Sequence, residues 1–272
     1  MKIVRFVDGE GRARFGRLDA RGRVVPLRGD FANELEFSAA ATTGEPAAVA
    51  RVLAPVEPPN VFAIGLNYRK HAEEGGARSL PVEPLVFLKA TSSVIGDGEA
   101  IVLPRSAPGE VDYEAELAVV IGRTARRVSE ERALDYVAGF TCANDVSARD
   151  CQRVRDKQWA RAKSFDTFCP LGPCLVTPDE FDAGDAAIRS TLNGRVMQDS
   201  NISDMIFPVP ALVGFLSHQF TLRPGTVILT GTPHGVGFAR TPPVFLRAGD
   251  RIEIEIEGIG RLSNPVVADP AA

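Results

Sequence analysis

The pattern of hydrophobic and polar positions changes near residue 56, and the two parts predict different structures. Before that point three short apolar segments, KIVRF, ARFGRLD and RVVPL, are separated by glycines, which predicts a small β meander. The alanine-rich stretch 39–50 is typical of a helix. The segment Ala54–Pro59 contains three prolines and suits a linker, because proline fits neither a helix interior nor a central strand. We therefore predict a small N-terminal β domain over residues 1–56.

Strand patterns dominate the chain from residue 57 onward. The segments VFAIG, LVFLK, AIVLP, YEAELAVVIG, TVILTG and RIEIEIEGIG are rich in Val and Ile and are bounded by Gly or Pro. The last one alternates, with isoleucines on one face and glutamates on the other. Helical patterns are fewer: one begins at Glu130 after a possible Ser129 cap, and one covers 209–218. The chain is therefore predicted to be a β-rich α+β protein, with its larger domain over 57–272.

Composition and charge narrow the class of protein. The chain has 272 residues, 44% of them hydrophobic and 24% charged, which is the balance of a soluble globular protein. A net charge of -4 argues against nucleic acid, which requires a basic surface. The apolar runs are strand-sized and the N-terminus lacks the apolar core of a signal peptide, so we expect no membrane segment. Four cysteines without a CxxC pair indicate reduced, buried thiols in a cytoplasmic protein.

The segment VDYEAELAVVIG contains the first candidate site. Glu114 and Glu116 are two positions apart, so in a strand they share a face beside a strongly apolar stretch. Two carboxylates there would repel each other and lose hydration, and a hard divalent cation would offset both costs. Asp145, in the polar segment TCANDVSARD, can complete a three-carboxylate site for magnesium or manganese. The alternative is an exposed strand with two solvated glutamates, as we interpret the IEIEIE run.

A second candidate is the pair of His71 and Glu74, which follows GLNYRK at helical spacing. A short helix that Asn67 can cap would place both side chains on one face, and a carboxylate-oriented histidine is the usual general base. The glycines that follow suit a mobile lid. The alternative is a surface histidine near a glutamate. Lys163 is the lone charge in AKSF and can bind a carboxylate or polarise a carbonyl, unless it extends to the surface.

The remaining motifs set limits. The loop TGTPHGVG follows the TVIL strand and exposes backbone N–H groups that can hold an anion. Arg149 and Asp150 can form a structural ion pair as readily as a functional one. The P-loop, Rossmann, HExxH and GxSxG patterns are absent, which argues against nucleotide-binding folds, zincins and α/β hydrolases.

Taken in order, these motifs resemble the fumarylacetoacetate hydrolase family over residues 64 to about 260. The matching stretches are GLNYRKHAEE, PLVFLKATSSVIG, VDYEAELAVVIG, NDVSARDCQ, AKSF, NGRVMQDSNISDMIF and LTGTPHGVG. The resemblance implies a mixed β-roll, a homodimer, and one Mg²⁺ or Mn²⁺ per subunit on Glu114, Glu116 and Asp145. It also implies a water-activating dyad on a lid, a catalytic lysine and a set of substrate contacts. The corresponding residues are His71 and Glu74 for the dyad, Lys163, and, for substrate, Gln152, Thr232, Gly231 and Arg149. His234 receives no role.

The resemblance implies an enzyme that acts on a small 2-oxo acid. We expect a hydrolase that cleaves a C–C bond in a β-diketo acid of the acylpyruvate, fumarylpyruvate or diketo sugar acid type, giving pyruvate and a carboxylic acid. The alternative is an isomerase, tautomerase or decarboxylase, of the 2-hydroxyhepta-2,4-diene-1,7-dioate isomerase or oxaloacetate decarboxylase type, that uses the same metal as electron sink. A metal-dependent binding protein without activity is a further alternative. The presence of both His71 and Glu74 favours hydrolysis.

Overall fold

The computed structural model describes residues 1–29, 31, 33–37, 42, 44–76 and 79–270. Its strands are β1 (Lys2–Asp8), β2 (Ala13–Leu18), β3 (Val24–Pro26), β4 (Val49–Leu53), β5 (Val61–Gly65), β6 (Leu85–Lys89), β7 (Val94–Ile95), β8 (Ile101–Leu103), β9 (Val111–Asp112), β10 (Ala115–Ile121), β11 (Val137–Asn144), β12 (Ser147–Ala148), β13 (Cys169–Val176), β14 (Ala187–Leu192), β15 (Arg195–Asn201), β16 (Val227–Leu229), β17 (Arg251–Ile256) and β18 (Gly260–Ala268). Its α-helices are α1 (Arg69–Glu74), α2 (Ala160–Lys163) and α3 (Val209–Gln219).

Two mixed sheets make up most of the molecule and confirm the β-rich α+β prediction. The larger sheet has the order β3-β2-β1-β13-β11-β10-β16-β5-β6, with β4 paired to β1 and β7 to β13. The second sheet has the order β15-β14-β17-β18-β8. The predicted meander is present as β1, β2 and β3, and β1 also pairs with β13 at Lys2 opposite Val176. The N-terminal strands therefore extend the main sheet, and the division into domains at residue 56 stays a prediction.

The helix predictions are confirmed only where an apolar face is buried. Helix α3 agrees with the predicted 209–218, and its Leu212 and Leu216 are fully buried. The segment Glu130–Tyr136 is instead a 3₁₀ helix without a Ser129 side-chain cap, and Leu134 on its predicted face is 42% exposed. The prediction of a helix is also wrong for the second half of the alanine-rich stretch.

That stretch ends in a strand, because β4 pairs antiparallel with β1 and this long-range pairing outweighs the helix preference of alanine. Residues 39–41 and 43 lie outside the described residues. The four cysteines are free and buried, as predicted from their spacing. Among the described residues there is no helix with the length and apolar character that crossing a bilayer requires.

The centre of the main sheet is apolar on both faces, and this is where the site is built. Every residue of β10 is buried, and alternate residues of this strand pack into two separate core clusters. Strand β11 pairs antiparallel with β10 with Ala115 opposite Asn144, and the Asp145 N–H donates to the Glu114 carbonyl. Strand β16 lies on the other side of β10 and pairs parallel with β5. The loops that follow β5, β11 and β16 therefore meet around the start of β10.

Candidate metal centre and active site

The three predicted carboxylates converge at the start of β10. One oxygen each from Glu114, Glu116 and Asp145 lies within 4.8 Å of the other two, and all three residues are buried. The antiparallel register explains this convergence, since Asp145 directly follows β11 and is opposite the residues that precede β10. The spacing prediction of a shared face is therefore confirmed, and the solvated-strand alternative is excluded for this pair. In the IEIEIE run the three isoleucines are buried while the glutamates are partly or fully exposed.

Three buried cations surround these acids. Lys163 Nζ donates to Glu114 at 2.8 Å and to Asp145 at 2.6 Å. Lys89 Nζ donates to the other Asp145 oxygen at 2.5 Å and to the Lys163 carbonyl. The Arg149 guanidinium lies 2.7 Å from the second Glu114 oxygen. Lys163 is 2% exposed, so the alternative of a lysine extending to the surface is excluded.

Arg149 is fixed by Asp112, which sequence reasoning missed. The Arg149 Nε donates to Asp112 at 2.9 Å, its terminal nitrogen lies 2.8 Å from the same carboxylate, and Nη1 donates to Gln152. The ion pair with Asp150 considered from the sequence does not form. Asp150 instead accepts from its neighbour's backbone N–H and pairs with Arg155 at 3.5 Å. Arg149 thus lies beside the carboxylates with its guanidinium already bound by protein groups.

The predicted dyad is present on α1. His71 Nδ1 lies 3.2 Å from a Glu74 carboxylate oxygen, which leaves Nε2 for the cavity. Glu74 also accepts from the Gly235 N–H at 2.9 Å, so its carboxylate joins the helix to the TGTPHGVG loop. Burial raises the pKa of Glu74, but the hydrogen bonds from His71 and Gly235 outweigh burial and hold that pKa below its ordinary value. The carboxylate is therefore ionised at neutral pH and can orient the imidazole.

The cap predicted for this helix is wrong. Tyr68 is the residue before the first turn of α1, and no side chain caps the helix there. The Asn67 amide instead donates to the carbonyls of Thr230 and Phe207, and its oxygen accepts from the Phe207 N–H. Asn67 therefore fastens the start of α1 to the loop after β16. This bond joins residues 163 positions apart, which no local pattern could indicate.

The loop after β16 contributes a backbone N–H group to the metal centre and a hydroxyl group to the cavity. Gly231 has a φ of +97°, and its N–H donates to Glu116 at 2.7 Å. Thr232 lines the cavity, and its hydroxyl accepts from the buried Gln198 amide at 2.8 Å. The roles predicted for Gly231 and Thr232 in substrate binding stay predictions. The Gly231 N–H is bound to a carboxylate, whereas the Thr232 hydroxyl can still donate.

A cavity of about 310 Å³ joins the dyad to the carboxylates. Pockets for small ligands begin near this volume. Its lining includes the following predicted residues: His71, Glu114, Glu116, Arg149, Gln152, Lys163 and Thr232. Hydrophobic side chains cover much of the rest, namely Ile64, Leu66, Phe87, Trp159 and Phe238. Asp145, Glu74 and Gly231 are not part of this lining, so seven of the ten predicted site residues face one small cavity.

The charges of the centre suit a divalent cation. Four buried acids, Asp112, Glu114, Glu116 and Asp145, face three buried cations, Lys89, Arg149 and Lys163. Burial raises the pKa of Glu114, but Lys163 and Arg149 outweigh it and hold the pKa below its usual range. Burial, with Asp145 and Glu114 nearby, raises the pKa of Glu116 well above its usual value. Glu116 forms no ion pair with a cation among the described residues. A metal bound there would supply the positive charge that this carboxylate lacks.

Sequence reasoning missed the residues that support the centre from other elements. Lys89 ends the apolar segment LVFLK, and a lone charge at the end of an apolar strand pattern was the signal that could have found it. Asp112 lies in the motif VDYEAE but is 0% exposed, with both oxygens accepting backbone N–H groups. Gln198 was not singled out, because its partners are distant in the chain: Ala115 in β10 is 83 positions away and Thr232 in the loop after β16 is 34 positions away.

The chain matches known proteins over nearly its whole length. The family model described as "Fumarylacetoacetate (FAA) hydrolase C-terminal" matches residues 60–267, and one described as "Rv2993c-like, N-terminal" matches residues 1–55. The curated protein "Oxaloacetate tautomerase fahd2, mitochondrial" of Xenopus laevis is 48% identical over 219 residues, which are 79% of this chain and 68% of that protein.

Solved structures with the same architecture are named after different activities. "5-carboxymethyl-2-hydroxymuconate delta-isomerase" from Mycobacterium smegmatis is 40% identical with a TM-score of 0.84, and the match covers 99% of this chain and 100% of that one. "Fumarylacetoacetate hydrolase (EaFAH)" from Exiguobacterium antarcticum is 37% identical with a TM-score of 0.83 and the same coverage. Both share the mixed-sheet fold described above.

Proposed function

Because the chain belongs to the fumarylacetoacetate hydrolase family, we propose that it is a metal-dependent isomerase that interconverts the enol and keto forms of a small 2-oxo acid. The observation that carries this proposal is the cavity in which His71 and the carboxylates Glu114 and Glu116 face one another. A proton shift beside a carbonyl needs one base and one group that stabilises negative charge on oxygen. His71 is the base, and the stabilising charge would come from Lys163 and from a metal held by the carboxylates.

The C–C hydrolase expected from the sequence is not confirmed, and the alternative has more support. Relatives named tautomerase and isomerase match this chain at 48% and 40% identity, and a structure named hydrolase matches it at 37%. Isomerisation returns the proton to the substrate and needs no second reactant. Hydrolysis also needs a water molecule held by the base. The hydrolase remains the second candidate, because the His71–Glu74 pair can activate water as well as carbon acids.

The cavity residues suggest a division of work. A divalent metal on Glu114, Glu116 and Asp145, which we propose to be Mg²⁺ or Mn²⁺, would supply a Lewis acid that stabilises charge on the 2-oxo group. His71 moves the proton at C3 through Nε2, since Nδ1 is bound to Glu74. In the direction from enol to keto, His71 delivers a proton from Nε2 to C3, the enol oxygen releases its proton to water, and the imidazole takes a proton back from water.

The remaining polar groups of the cavity stabilise negative charge on the substrate and fix its orientation. Burial lowers the pKa of Lys163, but Asp145 and Glu114 outweigh burial and raise it above its usual value, so this side chain stays an ammonium. It adds positive charge beside the 2-oxo oxygen. We assign Gln152 and Thr232 to the substrate carboxylate, because an amide and a hydroxyl line the cavity there. The homodimer and the cytoplasmic location stay predictions.

A substrate comparison tests the proposal. Purified protein with Mg²⁺ is assayed for ketonisation of enol-oxaloacetate by loss of enol absorbance, and for release of acetate and pyruvate from acetylpyruvate. We expect kcat/KM for ketonisation to exceed that for cleavage by at least about tenfold, a difference of about 1.4 kcal/mol in barrier. Faster cleavage would establish the hydrolase instead. Metal binding without turnover of either compound would support an inactive binding protein.

A further inference from the structure

Arg153 lies at the cavity with its charge unused by the protein. It follows Gln152 in a short π-helical segment, Cys151–Arg155, and both side chains line the cavity. Arg153 is exposed, and no carboxylate of the described part of the chain lies within ion-pair distance of it. Its guanidinium lies over the Phe238 ring, whose centre is 4.8 Å from the guanidinium carbon. A cation at the edge of a pocket is thus available to a ligand.

Arg149 cannot fill the same role, although it is closer to the carboxylates. Its guanidinium is 2% exposed and is bound to Asp112, Glu114 and Gln152. Recruiting it to a substrate would break a buried ion pair, which costs several kcal/mol. Binding a substrate would cost Arg153 at most a stacking contact with an aromatic ring. It can also keep this contact, since a guanidinium can stack and donate hydrogen bonds at once. Of the two arginines, only Arg153 is therefore available to bind a substrate.

Both of these arginines lie against the Phe238 ring, which the protein holds in place. The guanidinium carbon of Arg149 is 4.5 Å from the ring centre and that of Arg153 is 4.8 Å, so the paired and the free guanidinium contact the same aromatic ring. Asp112 accepts the N–H groups of Gly237 and Phe238 at 2.8 and 3.0 Å. A Cβ on Gly237 would lie 2.0 Å from the Val244 carbonyl, so this close approach requires glycine. The position of Arg153 relative to the carboxylates is thus supported by buried bonds.

We propose that Arg153 is a specificity-determining residue that binds a second carboxylate at the far end of the substrate. This inference rests on the proposed function, in which Gln152 and Thr232 bind the first carboxylate and the 2-oxo group lies beside the carboxylate triad. A 2-oxo acid that ends in a carboxylate would span from the carboxylate triad to the guanidinium across the face of Phe238. A guanidinium favours such an anion because it can donate two parallel hydrogen bonds.

Two matched substrates and three variants test Arg153. The substrates are oxaloacetate and its 4-methyl ester, which differ in the charge at the far end. Arg153→Gln should lower kcat/KM for oxaloacetate about tenfold, mainly through KM, and leave the ester unchanged, as expected for one charge-assisted contact. Arg153→Lys should recover part of the loss. Lys157→Gln removes a nearby exposed charge that does not line the cavity, and it should change neither substrate. Equal losses for both substrates, or none, would overturn the assignment.

A binding measurement separates this inference from the proposed function. Calorimetry with Mg²⁺ compares L-malate with 2-hydroxybutanoate, which differ in the far carboxylate and cannot tautomerise. Wild-type protein should bind L-malate about tenfold more tightly, and Arg153→Gln should abolish that difference. If the difference is found without turnover, the isomerase proposal fails and Arg153 keeps its role. If wild-type protein binds both compounds equally, the role of Arg153 is wrong whatever the turnover.

Discussion

Glu114 and Glu116 illustrate how neighbours set the behaviour of a single residue. Both are buried at the start of β10. Lys163 and Arg149 outweigh burial and hold the pKa of Glu114 low, whereas burial, together with Asp145 and Glu114, raises the pKa of Glu116. The sequence predicted their shared face, because alternation along a strand is a local property. It could not predict the contact of Lys89 with Asp145, because Lys89 lies on a strand 56 positions away in the chain.

The pKa of Glu74 leads to a prediction about pH. Because that pKa is below the ordinary 4.5, the ionised carboxylate stabilises the folded protein above pH 4.5, and the stabilisation is lost as pH falls through the folded value. Glu74→Gln should therefore lower the melting temperature by about 1–2 °C at pH 7, as expected for a partly exposed contact. The difference should shrink below pH 4.5.

Thermal unfolding from pH 7 to pH 3.5 measures this effect. Glu73→Gln is the matched control, since Glu73 is exposed on the same helix and no hydrogen bond to its carboxylate is recorded within the described ranges. It should have no effect at any pH. A Glu74→Gln difference that grows on acidification would contradict the lowered pKa.

At the scale of elements, the strands around the site were more predictable than the loops between them. The apolar runs of β5, β10 and β16 are visible in the sequence, and so is the alternation in β17. The loops are held by bonds such as Asn67 to Thr230, whose partners only the fold brings together. The same reason explains β4, where pairing with β1 outweighs local alanine preference.

The loop after β16 gives a prediction at this scale. Gly231 has a φ of +97°, and a Cβ there would lie 2.8 Å from the Asn67 Cβ and 3.1 Å from the Ile64 carbonyl. Gly231→Ala should cost about 2–4 kcal/mol in the free energy of unfolding, from backbone strain and overpacking together. Gly194→Ala shares the positive φ but meets nothing within 4 Å, so it should cost about 1 kcal/mol. Urea unfolding measures both, and equal costs would refute the predicted crowding.

For the molecule as a whole, the buried charges predict that metal stabilises the fold. With free Mg²⁺ at a hundred times its dissociation constant, the free energy of unfolding should rise by about 2.7 kcal/mol. Glu116→Gln should lose this response while remaining at least as stable as the metal-free wild type, because it removes a carboxylate without a cationic partner. Glu253→Gln, in the partly exposed IEIEIE run, should respond like wild type. Differential scanning calorimetry with and without EDTA decides between these outcomes.

In the proposed reaction His71 moves a proton at C3 of a 2-oxo acid. The most direct measurement is ketonisation of enol-oxaloacetate in D₂O with Mg²⁺, with the product trapped at once by reduction to malate and analysed by NMR. We predict deuterium at one of the two C3 positions, because a base held on one side of the substrate delivers the proton to one face. His71→Ala should slow the reaction about 100-fold or more and lose this selectivity. Equal deuteration of both positions by wild-type protein, or an unchanged rate in His71→Ala, would contradict the account.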